Sequence, residues 1–126
     1  MGNHICRTLV IACMDFRFHS WLRNLLVDCG LKNNYDMFVA AGSQKNFLDP
    51  ETRDFALRQV DLSVNLHLIK EVFIFAHLDC GAYGGSGSFA SQEQEIEQYE
   101  TDLAKVRKML KERHPHLVIR TKVICP

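Results

Sequence analysis

Strand-sized apolar runs, spaced by helix-length amphipathic stretches, constrain this chain more than any other feature. Thr8-Leu9-Val10-Ile11-Ala12 and Val72-Phe73-Ile74-Phe75-Ala76 are continuous, apolar and rich in β-branched or aromatic residues. Runs of this kind without polar alternation belong to strands covered on both faces, as in parallel sheets. Residues 7–13 are therefore predicted as a first strand and 35–41 as a second, closed by Gly42. A third is predicted over 71–76 and a last over 117–124.

The segments between them have helical signals. Ser20 is the expected N-cap of a helix with Trp21, Leu22, Leu25, Leu26 and Cys29 on its apolar face, stopped by Gly30. Asp49-Pro50-Glu51 is the expected start of the next, with Asp as cap and Pro in the first helical position. That helix carries Ala56, Val60, Val64 and Leu68 on one face, and Leu62, Leu66 and Ile69 on another. Two apolar faces predict burial on two sides, hence a subunit interface. A Gly- and Ser-rich loop with a short helical turn follows over 81–91. Ser91 and Gln94 then make a capping box before a stripe of Ile96, Tyr99, Leu103, Val106 and Leu110, and His114-Pro115 ends the helix.

Strands alternating with helices predict an α/β fold: a single domain over residues 1–126. The expected architecture is a doubly wound, mainly parallel sheet of about four strands with helices on both faces. Such sheets place their sites beyond the carboxyl ends of the strands. Fifteen basic and fifteen acidic residues cancel, which gives no electrostatic case for nucleic acid or an anionic membrane surface. No apolar run approaches membrane-spanning length, and the N-terminus lacks a secretory pattern. The five cysteines make a disulfide framework improbable, so the expected location is the cytoplasm.

Cys13 ends the first strand, and His77-Leu78-Asp79-Cys80 follows the third. A tight turn lets an imidazole and a thiolate three residues apart reach one ion, and Cys13 can supply a third ligand. Two thiolates and one imidazole suit zinc with its fourth position open or taken by oxygen. Asp15 and Arg17 fall on one side of an extended Cys13-Met14-Asp15-Phe16-Arg17 segment, where they can pair. Asp79, between two expected ligands, is a candidate for hydrogen bonding to nearby backbone. Gly84-Gly85-Ser86-Gly87-Ser88 does not match a phosphate-binding loop, and neither Cys13 nor Cys80 has the Arg six residues later that a cysteine phosphatase needs. His4, His19, His67, His114 and His116 are assigned to the surface, and Cys6, Cys29 and Cys125 to the core.

The pair of motifs Cys13-Met14-Asp15-Phe16-Arg17 and His77-Leu78-Asp79-Cys80-Gly81 resembles the signature of β-class carbonic anhydrases, over roughly residues 7–124. The resemblance implies one zinc per chain on Cys13, His77 and Cys80, with Asp15 orienting the attacking hydroxide or ligating zinc in a closed site. It implies that Arg17 draws Asp15 off the metal. The expected reaction is reversible hydration of carbon dioxide to bicarbonate, in a homodimer or dimer-built oligomer. Where the family carries Arg-Asn-Ala-Gly, this chain has Val39-Ala40-Ala41-Gly42. Phe16, Phe38, Val39, Gly42 and Gly81 are the expected pocket residues. An apolar pocket around Phe16 also admits hydrolysis of carbon disulfide or carbonyl sulfide. The missing Arg-Asn also admits a non-catalytic zinc protein.

Overall fold

Thr8–Ala12 forms β1, buried along its whole length, in a computed structural model that describes residues 4–125. Met1 to Asn3 and Pro126, the ends of the expected 1–126 domain, lie outside the described residues. The chain continues through α1 (His19–Asp28), β2 (Tyr35–Val39), α2 (Arg53–His67), β3 (Glu71–His77), α3 (Gln92–Arg113) and β4 (Val118–Ile124). The strands form one sheet of order β2-β1-β3-β4, with every neighbouring pair parallel. From β1 the chain steps outward to β2, then returns past β1 to start β3 on its other side. The topological switch point therefore lies between β1 and β3, where a doubly wound sheet opens a crevice.

The alternation of side chains along each strand divides the core in two. Leu9, Ile11, Val72, Ile74 and Ile119 face α2 and α3, meeting Ala56, Val60, Tyr99, Leu103, Val106 and Leu110. Val10, Ala12, Phe73, Phe75 and Ile124 face the other way, toward Leu22 and Leu26 of α1. Full burial of side chains such as Phe47, Phe75 or Leu110 stabilises the fold by about 2 kcal/mol each. Helices thus cover both faces, as expected.

Several local expectations are corrected. Ser20 does not cap: α1 begins at His19 after a tight turn, with no side-chain cap. Asp49 bonds the Glu51 N–H at 2.9 Å, but closes a turn, and α2 starts only at Arg53. The α2 helix stops at His67 because Leu68 takes a left-handed conformation (φ 53°). Ile69 consequently turns into the core, while Leu66 stays exposed. The cap at Ser91 forms as expected, its Oγ accepting from Gln94 N at 3.2 Å. Cys29 and Cys125 are exposed and Cys6 is half-buried, so none of them is a core thiol. His114 is not a free surface residue: with Arg113 it grips Asp61 of α2, at 2.7 and 2.6 Å.

Asp61 fastens the end of α3 to α2, and its carboxyl is held down to about 2 chiefly by the Arg113 guanidinium. A depressed folded-state pKa gives stability that is complete above the unfolded value near 4 and is lost as pH falls toward 2. Asp61→Asn is expected to lower unfolding free energy by about 1 kcal/mol at pH 7, solvent screening keeping the figure small. Urea denaturation across pH should show the gap between variant and wild type closing between pH 5 and pH 2, on the order of those pKa values. A gap independent of pH contradicts the assignment.

Candidate metal centre

The carboxyl ends of β1 and β3 bring Cys13, His77 and Cys80 together. Their ligand atoms all lie within 4.8 Å of one another. His77 is the last residue of β3, on the same face as Phe73 and Phe75, and its ring packs on Phe18 with centroids 4.2 Å apart. Its Nδ1 lies 2.7 Å from the Leu78 carbonyl, which calls for a proton there and turns the lone pair of Nε2 toward the cysteines. Nε2 is buried and has no hydrogen-bond partner among the described residues. A buried acceptor left without a donor is costly unless something else occupies its lone pair.

The protonation of the cluster points the same way. Cys13 is drawn far below the usual thiol value, chiefly by the Cys80 S–H, while Cys80 is pushed up by the charge on Cys13 and by burial. Burial pushes His77 down, but Cys13, the Leu78 carbonyl and Asp15 together outweigh it and the net shift is upward. A divalent cation placed among the three would serve the Cys13 thiolate and the buried Nε2 of His77 at once. A thiolate–imidazole–thiol set at this spacing fits zinc in kind and number of ligands. Cys13, His77 and Cys80, with Gly42, Ser43, Gln44 and Ala76, line a tight cavity.

Asp15 and Arg17 sit beside this cavity, but not on an extended segment. Asp15 accepts from Arg17 N at 2.9 Å and so caps a tight 3-10 turn over Phe16–Phe18. The Arg17 guanidinium closes on the same carboxylate, with Nη2 2.8 Å from Oδ2. That contact holds the Asp15 carboxyl down to about 2. The Oδ2 atom is 3.9 Å from His77 Nε2, so Asp15 borders the ligand cluster while remaining paired to Arg17. Arg17 also reaches across the crevice: Nη1 donates to Asp79 Oδ2 at 3.0 Å and Nη2 to the Asp79 carbonyl at 2.9 Å.

Asp79 itself takes a left-handed conformation (φ 60°) between His77 and Cys80. Its Oδ1 accepts from Ser86 N at 2.9 Å, which folds the Gly-rich segment back over the turn. Gly85 is needed there, because a Cβ on it would lie 3.1 Å from Asp79 Oδ1 at a φ of +78°. Gly42 serves the other wall of the site. Its N–H points at Cys13 Sγ (3.4 Å), and a Cβ would meet that of Ala82 at 2.9 Å. Of the remaining expected pocket residues, Phe38 packs on Phe47 and Phe55, Gly81 opens a short turn after Cys80, and Val39 is exposed on the edge strand. Phe16 is 85% exposed and does not line the cavity.

Two groups that sequence reasoning passed over brace the loop. Glu95 of α3 is buried and accepts three bonds: Asp79 N at 2.7 Å, Ser86 Oγ at 2.8 Å and Tyr99 Oη at 2.7 Å. Burial pushes its carboxyl up, but these donors outweigh burial and the net shift is downward. Behind it, Tyr83 Oη donates to Asp102 Oδ2 at 2.8 Å and accepts from Gln44 Nε2 at 2.9 Å. A signal was present: Glu95, Tyr99, Asp102 and Val106 keep helical spacing on the buried stripe, so two carboxylates stand where apolar residues are expected.

Fold and site together define a class: a parallel α/β protein with a two-sulfur, one-imidazole cluster at its topological switch point. The chain belongs to the family described as "Putative carbonic anhydrase", whose model matches residues 3–118. An uncharacterized protein of Rickettsia bellii (strain RML369-C) is 28% identical over 120 residues, which cover 90% of this chain and 73% of that one. Another, from Rickettsia conorii (strain ATCC VR-613 / Malish 7), is also 28% identical over 120 residues, covering 90% of this chain and 64% of its own length. The crystal structure of a carbonic anhydrase from Streptococcus mutans aligns with a TM-score of 0.67 at 15% identity, over 99% of this chain and 80% of that one. At that identity the likeness speaks for the fold.

Glu95→Ala would strand the Asp79 N–H and the Ser86 and Tyr99 hydroxyls in or near the core. The expected loss is about 3 kcal/mol of unfolding free energy, measured by urea denaturation at neutral pH. A loss below about 0.5 kcal/mol would show that water replaces the carboxylate without cost.

Proposed function

We propose that this protein is a zinc-dependent carbonic anhydrase that interconverts carbon dioxide and bicarbonate, with zinc held by Cys13, His77 and Cys80. The observation that carries the reading is the convergence of those three ligand atoms around an unpartnered, buried His77 Nε2. Membership of the family and the shared fold support it. When bound, zinc supplies Lewis acidity, lowering the pKa of water at the site to about 7 so that a nucleophile exists at neutral pH.

The chain's own residues do the rest. Asp15 borders the site as a carboxylate and accepts a hydrogen bond from the attacking hydroxide, aiming its remaining lone pairs at carbon dioxide. Arg17 keeps Asp15 charged and turned away from the ligand position. Asp79 anchors Arg17 and shapes the turn between His77 and Cys80. In this reading the protein works in the cytoplasm as a homodimer. Among the described residues no helix is long and apolar enough to cross a membrane. Met37 and Val39 on the edge strand β2, and Leu66 of α2, are exposed apolar residues open to a second copy.

The exposure of Phe16 removes the argument for an apolar pocket shaped for carbon disulfide or carbonyl sulfide. Val39-Ala40, standing where Arg-Asn is expected before Ala41-Gly42, favours one other reading, a zinc protein without turnover. Stopped-flow hydration of carbon dioxide by the zinc-loaded protein separates the two. A rate well above buffer at neutral and alkaline pH supports the enzyme, and none at either pH overturns it.

Two variants test the assigned roles. Cys80→Ala is expected to lower bound zinc by one equivalent per chain, read by elemental analysis of dialysed protein. Asp15→Ala is expected to keep that metal and to lose about 10- to 100-fold in hydration rate. Full turnover in Asp15→Ala contradicts the orienting role.

A further inference from the structure

At the opposite end of the sheet a second set of ligand-type side chains converges. Cys6 lies two residues before β1, Asp36 lies in β2 opposite Leu9, and His67 is the last residue of α2. Ligand atoms of the three lie within 4.8 Å of one another. Backbone geometry holds them there. Cys6 N donates to the His67 carbonyl at 3.1 Å, and β1–β2 pairing fixes Asp36. The Asp36 carboxylate accepts from Ser63 Oγ at 2.6 Å and lies 2.7 Å from His67 Nδ1. The His4 ring stands 6.3 Å from that of His67, centroid to centroid. A cleft lined by Asp36, Gln59, Ser63 and His67 opens beside the group. His67, assigned to the surface from sequence, is therefore partnered.

We propose that Cys6, Asp36 and His67 form a second zinc site, completed by His4 from the segment leading into β1. A thiolate, a carboxylate and imidazoles are ligands that zinc takes in a closed tetrahedral site. Ligand atoms around such an ion stand about 3.3 to 3.8 Å apart, given bonds of about 2.0 to 2.3 Å. Asp36 and His67, now at hydrogen-bond distance, open by about half an ångström on uptake. Ligation by Nδ1 moves the ring proton of His67 to Nε2, and the Cys6 thiol releases its proton to solvent. Ser63 keeps its bond to Asp36 and orients the carboxylate, the usual service of a group one step behind a ligand. The bound ion ties the segment before β1 to the edge strand and to the end of α2.

Cobalt(II) is the probe, because thiolate ligation gives it a charge-transfer band that carboxylate and imidazole do not. Metal-stripped wild-type protein should bind two equivalents, and Cys80→Ala should retain one, with a band for a single thiolate. Adding Cys6→Ser should abolish that band and weaken binding at least about 10-fold, and His67→Gln should weaken it similarly. Should Cys80→Ala fail to fold, Cys6→Ser alone lowers the wild-type count from two to one. Cobalt uptake unchanged by Cys6→Ser, or no uptake by a Cys80→Ala protein whose circular dichroism is native, overturns the proposal. The two sites fail separately: loss of one equivalent on Cys80→Ala reports the first, and loss of one on Cys6→Ser reports the second.

Discussion

Parallel pairing of β1 with β3 is the constraint on which the rest depends. The register running from Thr8 opposite Glu71 to Ile11 opposite Ile74 brings the carboxyl ends of the two strands level. Cys13 and His77, 64 positions apart in the chain, become neighbours through that register alone. The chain leaves β1 for β2 on one side and comes back to β3 on the other, so no crossover helix blocks the gap above the strand ends. A slip of one residue would turn Phe73, Phe75 and His77 to the opposite face and bury Ile74 against α1. The two-sided core forbids it, because Ile11 and Ile74 are fully buried on the α2–α3 side and Phe75 on the α1 side. Hydrophobic packing that looks generic therefore sets the geometry of the ligand cluster.

Charge then fixes what packing leaves loose. In the loop after β1, Met14 and Phe16 stand exposed and anchor nothing, and a positive-φ residue at Asp79 adds strain to the loop after β3. Arg17 and Glu95 act from opposite sides. Arg17 is well exposed, so each of its contacts is screened and worth little alone, and its value is geometric: one rigid fork spans Asp15 and Asp79. Glu95 is buried with all its bonds made, where removal leaves several donors unpaired, so it weighs more in stability. The loop that carries Cys80 is thus held from the core by a carboxylate and from the surface by a guanidinium.

The sheet and its strand ends were legible because their signals are local. Long apolar runs identify buried strands, and ligand-type residues directly after them identify the site. The start of α2 was not legible. Asp49-Pro50 satisfies helix-start rules, yet the same carboxylate closes a turn equally well at 2.9 Å from Glu51 N, and only tertiary packing chooses. Ser20 failed for a related reason, since Asp15 had already capped a tight turn that feeds straight into α1. Asp15 and Arg17 were paired correctly but drawn in the wrong conformation. Alternation suggested an extended strand, whereas the Asp15 side chain bonds backbone two residues on and bends the chain. His67 and His114 looked solitary because their carboxylate partners, Asp36 and Asp61, come from distant or differently facing elements. Contacts made by topology leave no mark in local spacing.

Arg17 has a consequence for how the site can change. Its Nε and Nη2 are engaged by Asp15, Nη1 by the Asp79 carboxylate, and Nη2 also by the Asp79 carbonyl. A guanidinium offers five N–H groups in a planar fork, so rotation toward one partner turns it from another. Asp15 can leave Arg17 for the ligand position only if the fork keeps Asp79 or gives up both. Because Asp79 also receives Ser86 N, and Glu95 holds Asp79 N and Ser86 Oγ, the second course disturbs the whole loop that bears Cys80. The first keeps the loop and frees only Asp15. The network therefore ties Arg17 more firmly to the loop than to Asp15: Asp15 is the one member whose side chain can turn without disturbing Cys13, His77 or Cys80.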